Sequence, residues 1–432
     1  MRLAYFSPLN PQRSGVSDYS EELLLALATG AEIELFVDGF QPANKQITEA
    51  FRIYDYRKHP EILQRLADFD AVVCQMGNSH RYHRGIYEVA STNRAIIVFH
   101  DFALQNFFLE RTRELQDPNV YLNELEGNES EKIVAEEALA KGSAPPQYQN
   151  PLGFPMNSRL AAQAEGIIVH SEWSRSRLAA VAPGVPISKI NLHVGLPELK
   201  PRTPVVTDGE SVSIASFGFI TASKGLEIAI RALAALKPHY SFHYYLVGET
   251  NPYFDVTKLT RLYGISDRVS VTGYVTLDEF KRRIAKTDIA INLRDQTVGE
   301  TSASLCRLMA AGVPTIVSNI GWFSEIPGDC VIKIEPQTHA DLLICAYLKE
   351  LIENRKLREA IGANARNLIL AKHQVKQAAA AYLDFITYVI SRRSNQAFIQ
   401  SLAKDIATLS TSKPDELLIT GIRAALSDLL TT

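Results

Sequence analysis

The sequence is poor in the residues that mark special chemistry. Among 432 residues there are four cysteines and two tryptophans. Cys74, Cys306, Cys330 and Cys345 sit in or beside apolar segments with no metal-ligand spacing. That argues against a disulfide scaffold or a zinc-cysteine centre and for buried thiols in a reducing compartment. Neither sign of charge dominates, with a formal net charge of -3 and a pI of about 6.4. Nothing asks for a polyanionic partner, so nucleic acid is not expected. No apolar run reaches the roughly 20 residues that cross a bilayer. The opening "MRLAYFSPLN" reads as a strand rather than a leader, so the expected location is cytoplasmic. Asn128-Glu129-Ser130 matches a glycosylation sequon, read as chance in that setting. There is no G-x-G-x-x-G, which disfavours a nicotinamide or flavin dinucleotide.

What remains is ordinary globular composition, 46% hydrophobic and 22% charged, in a chain long enough for two cores. Short apolar runs alternate with helical patterns. "RLAYFS" (2–7), "IELFV" (33–37), "AVVCQMG" (71–77), "AIIVFHD" (95–101) and "GIIVHS" (166–171) read as strands of a parallel sheet covered on both faces. Between the first two, Val16, Tyr19, Leu23 and Leu27 make a helical stripe. "LPELKPRTPVVTDGES" (196–211) is rich in Pro and polar residues and fits a linker. A second series follows: 211–218, 241–248, 269–275, 288–293, 314–318 and 331–335. The expected class is α/β, with two Rossmann-like doubly wound domains facing a central cleft. The expected division is 1–197, a linker at 198–210, 211–375, and helices over 376–432 whose first member packs back on the N-terminal domain. Residues 109–157 form a long charged excursion, of the kind used as a lid, a binding element or a mobile segment. In the tail, Leu418, Ile422, Ala425 and Leu429 share one helical face, read as a docking helix.

Open sheets of this kind bind ligands at the C-terminal ends of their strands. Four stretches should therefore meet in the cleft. In "SPLNPQRSGVSDYS", Gly15 stands directly before a helix. The stretch is either a plain turn or a place for an anion on free amides. In "FHDFALQNFF", His100 and Asp101 follow a strand. His100 reads as functional and Asp101 as a helix cap. In "FGFITASKGLEIAIRAL", Lys224 stands at a helix mouth where it could neutralise phosphate. The stretch lacks the second Gly and the hydroxyl of a Walker loop, which disfavours a nucleoside triphosphatase. In "GETSASLCRLMAAGVP", Glu300, Thr301 and Ser302 read as the start of a helix whose amides suit phosphate. Glu300 could accept bonds from sugar hydroxyls. Arg307 would stand two turns further along the same face. "QMGNSHRYHRGIY" (75–87) places Asn78 and His83 past another strand end, on what would be the acceptor side.

These stretches resemble a known family: retaining glycosyltransferases of the two-domain GT-B fold, of the glycosyl transferase family 4 type (group 1). The likeness runs from "MRLAYFSP" to about Arg392. It rests on the Gly15 loop, on His100 in "VFHD", on "VHSEWSRSRL" and on "FGFITASKGLE". It rests further on "VSVTGYVTLDEF" and on "GETSASLCRLMAAGVPTIVS" with its Ala-x-Gly-x-Pro ending. The resemblance implies donor phosphates near Gly15, a donor sugar beside His100, and a nucleotide base read near Val275. Two positions depart from the family. Its phosphate-binding arginine falls at Phe219, and its second Glu, which holds the ribose hydroxyls, falls at Arg307. The first Glu is taken by Glu300 after a shift of one residue.

The implied activity is transfer of a sugar from a nucleotide sugar to a hydroxyl of a glycan, a lipid-linked acceptor or a small molecule, as in polysaccharide biosynthesis. It would retain the anomeric configuration and use no bound metal or other cofactor. Catalytic roles fall to His100, Glu300 and Lys224. Donor contacts fall to Gly15, Val275, Thr301, Ser302 and Arg307, with Arg307 supplying the cation that Phe219 cannot. Peripheral membrane contact is expected only for a lipid-linked acceptor. The alternatives are a nucleotide-sugar-binding protein of weak activity, or epimerase or phosphorylase chemistry on the same fold.

Overall fold

The computed structural model describes residues 1–195, 211–336 and 339–409. The proposed linker over 198–210 and the tail stripe Leu418 to Leu429 lie outside the described residues.

The first domain runs β1 (Arg2–Phe6), α1 (Gly15–Leu27), β2 (Glu32–Val37), α2 (Lys45–Ala50), β3 (Arg52–Asp55), β4 (Ala71–Met76), α3 (His80–Thr92) and β5 (Ile96–Phe99). It continues through α4 (Gln105–Leu115), α5 (Asn119–Leu122), α6 (Glu129–Ala140), α7 (Ser158–Gln163), β6 (Gly166–Val169), α8 (Glu172–Val181) and β7 (Ile187–Lys189). Its strands pair in the order β3-β2-β1-β4-β5-β6-β7, every neighbour parallel. The second domain runs β8 (Val212–Phe217), α9 (Leu226–Leu236), β9 (Phe242–Val247), α10 (Val256–Leu262), β10 (Val269–Val271), α11 (Leu277–Ala285) and β11 (Ile289–Asn292). Then come α12 (Ala303–Ala310), β12 (Thr315–Ser318), β13 (Ile332–Ile334), α13 (Ala340–Glu353), α14 (Arg355–Lys372) and α15 (Val375–Leu409). Its sheet is also parallel, ordered β10-β9-β8-β11-β12-β13. The fold is two doubly wound α/β domains.

The strands are apolar on both faces because helices cover both. Leu3, Tyr5, Val73 and Val98 point into one layer, and Ala4, Phe6, Cys74 and Ile97 into the other. Helix α15 leaves the second domain and lays Ala378, Ala379, Tyr382, Phe385, Ile386 and Val389 on the first. Burial of each large apolar side chain there contributes on the order of 1.5–3 kcal/mol. The helix therefore ties the second domain to the first.

The 109–157 excursion is a packed layer, not a loose loop. It holds the end of α4, then α5, α6 and a 3₁₀ turn at Pro146–Gln149. Tyr121, Leu125 and Ala135 are buried in the first domain's core. Asn128 and Glu131 form a reciprocal cap at the start of α6, satisfying two amides that the helix leaves free. The charges that made the stretch look excursive lie on the outer faces of short helices.

Candidate active site

The C-terminal ends of the two sheets face one cavity of about 760 Å³. Its walls come from the β1–α1 loop, the start of α1, the loops after β8, β9 and β10, and the first turns of α12. Gly15, Phe219, Val275 and Arg307 all line it. The two Gly loops after β8 and β9 touch so closely that a Cβ on Gly248 would overlap the Gly218 carbonyl. That contact needs a residue without a side chain at a φ of 151°.

The β1–α1 loop is braced from behind. Glu21 accepts from the Asn10 amide at 2.7 Å and from Asn44 Nδ2 at 2.8 Å. Asp18 accepts from Asn10 Nδ2 at 3.1 Å. Ser14 caps α1 through Val16 N. A Cβ on Gly15 would meet nothing within 4 Å, so the helix mouth opens onto the cavity. Arg13, which motif reasoning did not select, reaches across the cleft. Its guanidinium lies 4.1 Å from the Tyr274 ring centroid and 3.8 Å from Glu249. Its nearness to Gly15 was the available signal.

Lys224 ends a short 3₁₀ turn before α9. Its ammonium lies 3.3 Å from where a Gly218 Cβ would stand. No hydrogen bond or ion pair among the described residues engages it. Burial, then the nearby Arg294 charge, lowers its pKa to about 7, so near neutrality it is only partly charged.

Helix α12 starts at Ala303, not at Glu300. Ser302 is its cap, in extended backbone and accepting from Leu305 N at 3.3 Å, and Thr301 precedes the helix. This corrects the expectation that Glu300 and Arg307 share a helical face. Gly299, at a φ of 82°, turns the chain just before the helix. Glu300 is held instead by Arg294 Nε at 2.7 Å, Thr297 Oγ1 at 2.9 Å and Val298 N at 3.1 Å. Arg294 was also missed, although a charge directly after an apolar strand was visible in "AINLR".

The Glu300 loop is fastened to the first domain. Ala103 N donates to the Val298 carbonyl at 2.8 Å, and Ser174 Oγ to the Gly299 carbonyl at 3.1 Å. A Cβ on Gly299 would collide with Phe102 and Trp173. Glu325, from the second domain, accepts from Glu172 N and Trp173 N at the start of α8. Glu300 is thus placed by both domains together.

Arg307 is 6% exposed, and its Nη2 donates to Glu22 Oε1 at 3.3 Å. Its charge is matched across the cleft, so it is not the free second cation expected from the sequence.

On the first domain's side, His100 Nε2 donates to Gln75 Oε1 at 2.7 Å. Its ring packs 4.8 Å from Tyr19 and 5.0 Å from His170. Burial, then the neighbouring histidines, push its pKa well below the usual range. It is a neutral imidazole. His170 and His193, lowered by burial to about 4 and about 3, complete the nest around Tyr19. Asn78 and His83 do not present open side chains to the cavity. Asn78 Oδ1 accepts from Phe107 N at 3.0 Å, capping α4 from outside. His83, buried and lowered to about 4, donates from Nδ1 to the Gln75 carbonyl at 3.1 Å. Asp101 accepts from Asn78 N at 2.8 Å, and burial raises its carboxyl to about 7. It caps no helix, contrary to the reading of its position after the strand.

Residues 202–368 match the profile of the family described as Glycosyl transferases group 1. The second domain is a glycosyl transferase group 1 domain. No curated protein sequence matches the chain. Among solved structures, a sucrose-phosphate synthase from Thermosynechococcus elongatus superposes with a TM-score of 0.66 at 15% identity, covering 91% of this chain and 100% of the other. A glycosyltransferase from Rickettsia africae gives 0.62 at 14%, covering 90% and 98%. HepE from Anabaena, in complex with UDP and glucose, gives 0.59 at 15%, covering 90% and 100%. Both domains of this chain, not only the group 1 domain, therefore share the GT-B architecture. No helix among the described residues is long and apolar enough to cross a membrane.

Proposed function

We propose that this chain transfers a sugar from a nucleotide-sugar donor to a hydroxyl acceptor, retaining the anomeric configuration and using no bound metal. The observation that carries the reading is Lys224: a half-buried ammonium with no bonded partner among the described residues, beside the Gly218 loop that lines the cavity between the two Rossmann-like domains. An anion is what such a group lacks. The group 1 match to the domain that holds Lys224 favours a nucleotide diphosphate as that anion. The UDP and glucose held by the Anabaena structure favour the same class.

The donor's diphosphate would lie against Lys224 and the α12 amides, which stabilise charge growing on the leaving oxygen. The sugar would lie between neutral His100 and Glu300. Glu300 Oε2 already accepts two bonds, while Oε1 accepts only from Arg294 and keeps a lone pair for a sugar hydroxyl. The acceptor hydroxyl would attack the anomeric carbon from the face the diphosphate leaves. Its proton would pass to the departing phosphate oxygen as the carbon–oxygen bond breaks. Family 4 membership, a cytoplasmic setting, a role in polysaccharide biosynthesis and membrane contact for a lipid-linked acceptor belong to the same proposal. A second reading, binding without turnover, is favoured by Phe219, which is 49% exposed in the cleft where the family carries an arginine.

The test is a panel of nucleotide sugars with the purified protein. Release of nucleoside diphosphate or transfer to an acceptor supports the enzyme. Binding without turnover over long incubation supports the second reading, and failure to bind any nucleotide overturns both.

A further inference from the structure

Three acidic side chains of α1 face the cavity, and they are not equivalent. Both oxygens of Glu21 are taken by Asn10 and Asn44. Asp18 accepts from Asn10. Glu22 alone of the three buries an oxygen with no hydrogen-bond partner among the described residues: Oε1 accepts from Arg307, while Oε2 has none. Burial raises the Glu22 carboxyl, and Arg307 opposes that rise. A buried acceptor left empty is costly unless something fills it. The neighbourhood says what fits. Lys281 and Arg307 face Asp18 and Glu22, so this stretch of cleft is close to charge-neutral. It offers a second anion no net attraction and suits hydroxyl groups. It lies between two other parts of the same cavity. Arg307 is one helical turn, about 4.5 Å of rise, beyond Ser304 at the Lys224 end. At the other end Glu22 and, from α11, Lys281 line the same cavity as Tyr274 and Val275.

We infer that Glu22, oriented by Arg307, accepts hydrogen bonds from the vicinal hydroxyls of the donor's ribose. This rests on the nucleotide-sugar reading above. A carboxylate from the first domain would then read a nucleotide seated on the second. Recognition of the ribose would depend on the closed cleft, and Arg307 would act as a positioning residue rather than a phosphate ligand.

The experiment is calorimetric titration of UDP, GDP and ADP and of their 2′-deoxy counterparts. The proteins are the parent, Glu22→Ala and Glu22→Gln, each checked for an unchanged melting profile. The parent should bind its preferred ribonucleotide roughly tenfold or more tightly than the 2′-deoxy form, the size of one hydrogen bond to a charged group. Glu22→Ala should bind both forms at about the parent's 2′-deoxy affinity. If Glu22→Ala does not fold, Glu22→Gln must shrink the preference at least about threefold, since it keeps the shape but not the charge. A parent with no preference, or variants that keep it in full, overturns the assignment while leaving the transferase reading intact. Absence of any nucleotide binding by the parent overturns both.

Discussion

The two walls of the cleft are built on opposite plans. Behind the first domain's wall most polar groups are bonded to one another, with Gln75 Nε2, His170 Nε2 and His193 Nδ1 left over. Tyr19 and Tyr382 share a hydrogen bond of 2.6 Å, and His100, His170 and His193 surround Tyr19. Each of these histidines also has a bond to its own chain. On the second domain's side Lys224 has no bonded partner among the described residues, and the Gly218 and Gly248 loops and the first turn of α12 line the cavity. Apart from Glu22, a wall backed by groups that bond one another can orient a ligand but gains little by touching charge. A wall with an unanswered ammonium gains much. The comparison assigns shape to the first domain and charge stabilisation to the second.

The sharpest break in that comparison is Lys224→Ala. It should lower kcat/KM by roughly 10²–10³, the size of one contact to charge developing in the transition state, with an unchanged melting temperature. The parent should also take up protons on binding UDP at pH 8. Lys224 is largely neutral above its pKa of about 7, and a bound diphosphate would restore its charge. Titration in buffers of different ionisation enthalpy measures that uptake, and Lys224→Ala should abolish it. Unchanged turnover in a folded variant would move the charge-bearing site elsewhere.

The first wall should answer to stability instead. Tyr382→Phe removes one hydroxyl from the buried pair with Tyr19. It should cost about 1–2 kcal/mol in denaturant unfolding while leaving nucleotide affinity within about twofold. A large loss of affinity with little loss of stability would reverse the roles assigned to the two walls.

Phe219→Arg sharpens the comparison by adding charge to the charged wall. The side chain is half-exposed in the cleft, so a guanidinium can stand there without displacing core. UDP should bind roughly three- to tenfold more tightly, a gain that salt should erode. No gain would mean that the diphosphate does not pass this position.

Much of this arrangement was legible from the chain alone, and the exceptions share a cause. Buried parallel strands such as "AIIVF" announce themselves by unbroken apolar runs. β3, "RIYD", and β7, "ISK", are edge strands with half-exposed residues, so they carry no such run and went unread. His100, Lys224 and Gly15 could be named from the sequence because strand ends and helix starts are local signals. Glu22 and Arg13 were not, because their significance lies in partners hundreds of residues away in the other domain. The Glu300–Arg307 spacing misled for the reverse reason: seven residues imply two turns only inside a helix, and Gly299 and the Ser302 cap place Glu300 outside it.

The smallest expected effect tests the place where the two walls meet. Asp101 ends the first domain's β5 and faces Glu300 of the second, whose charge adds to burial in raising it from 3.8 to about 7. In the unfolded chain the carboxyl ionises near 3.8, so between about pH 4 and 7 the folded state holds a proton that the unfolded state has lost. Stability must fall with rising pH across that window and level off above it. Asp101→Asn removes the ionisation and keeps an oxygen for Asn78 N, which now donates to Oδ2 at 2.8 Å. The variant should therefore melt above the parent, by little at pH 5 and by more at pH 8, with about 2–4 °C for each kcal/mol. Thermal melts at the two pH values measure the widening. If the gap is the same at both, the Asp101 carboxyl ionises normally in the fold, and the two domains do not press their carboxylates together at this point.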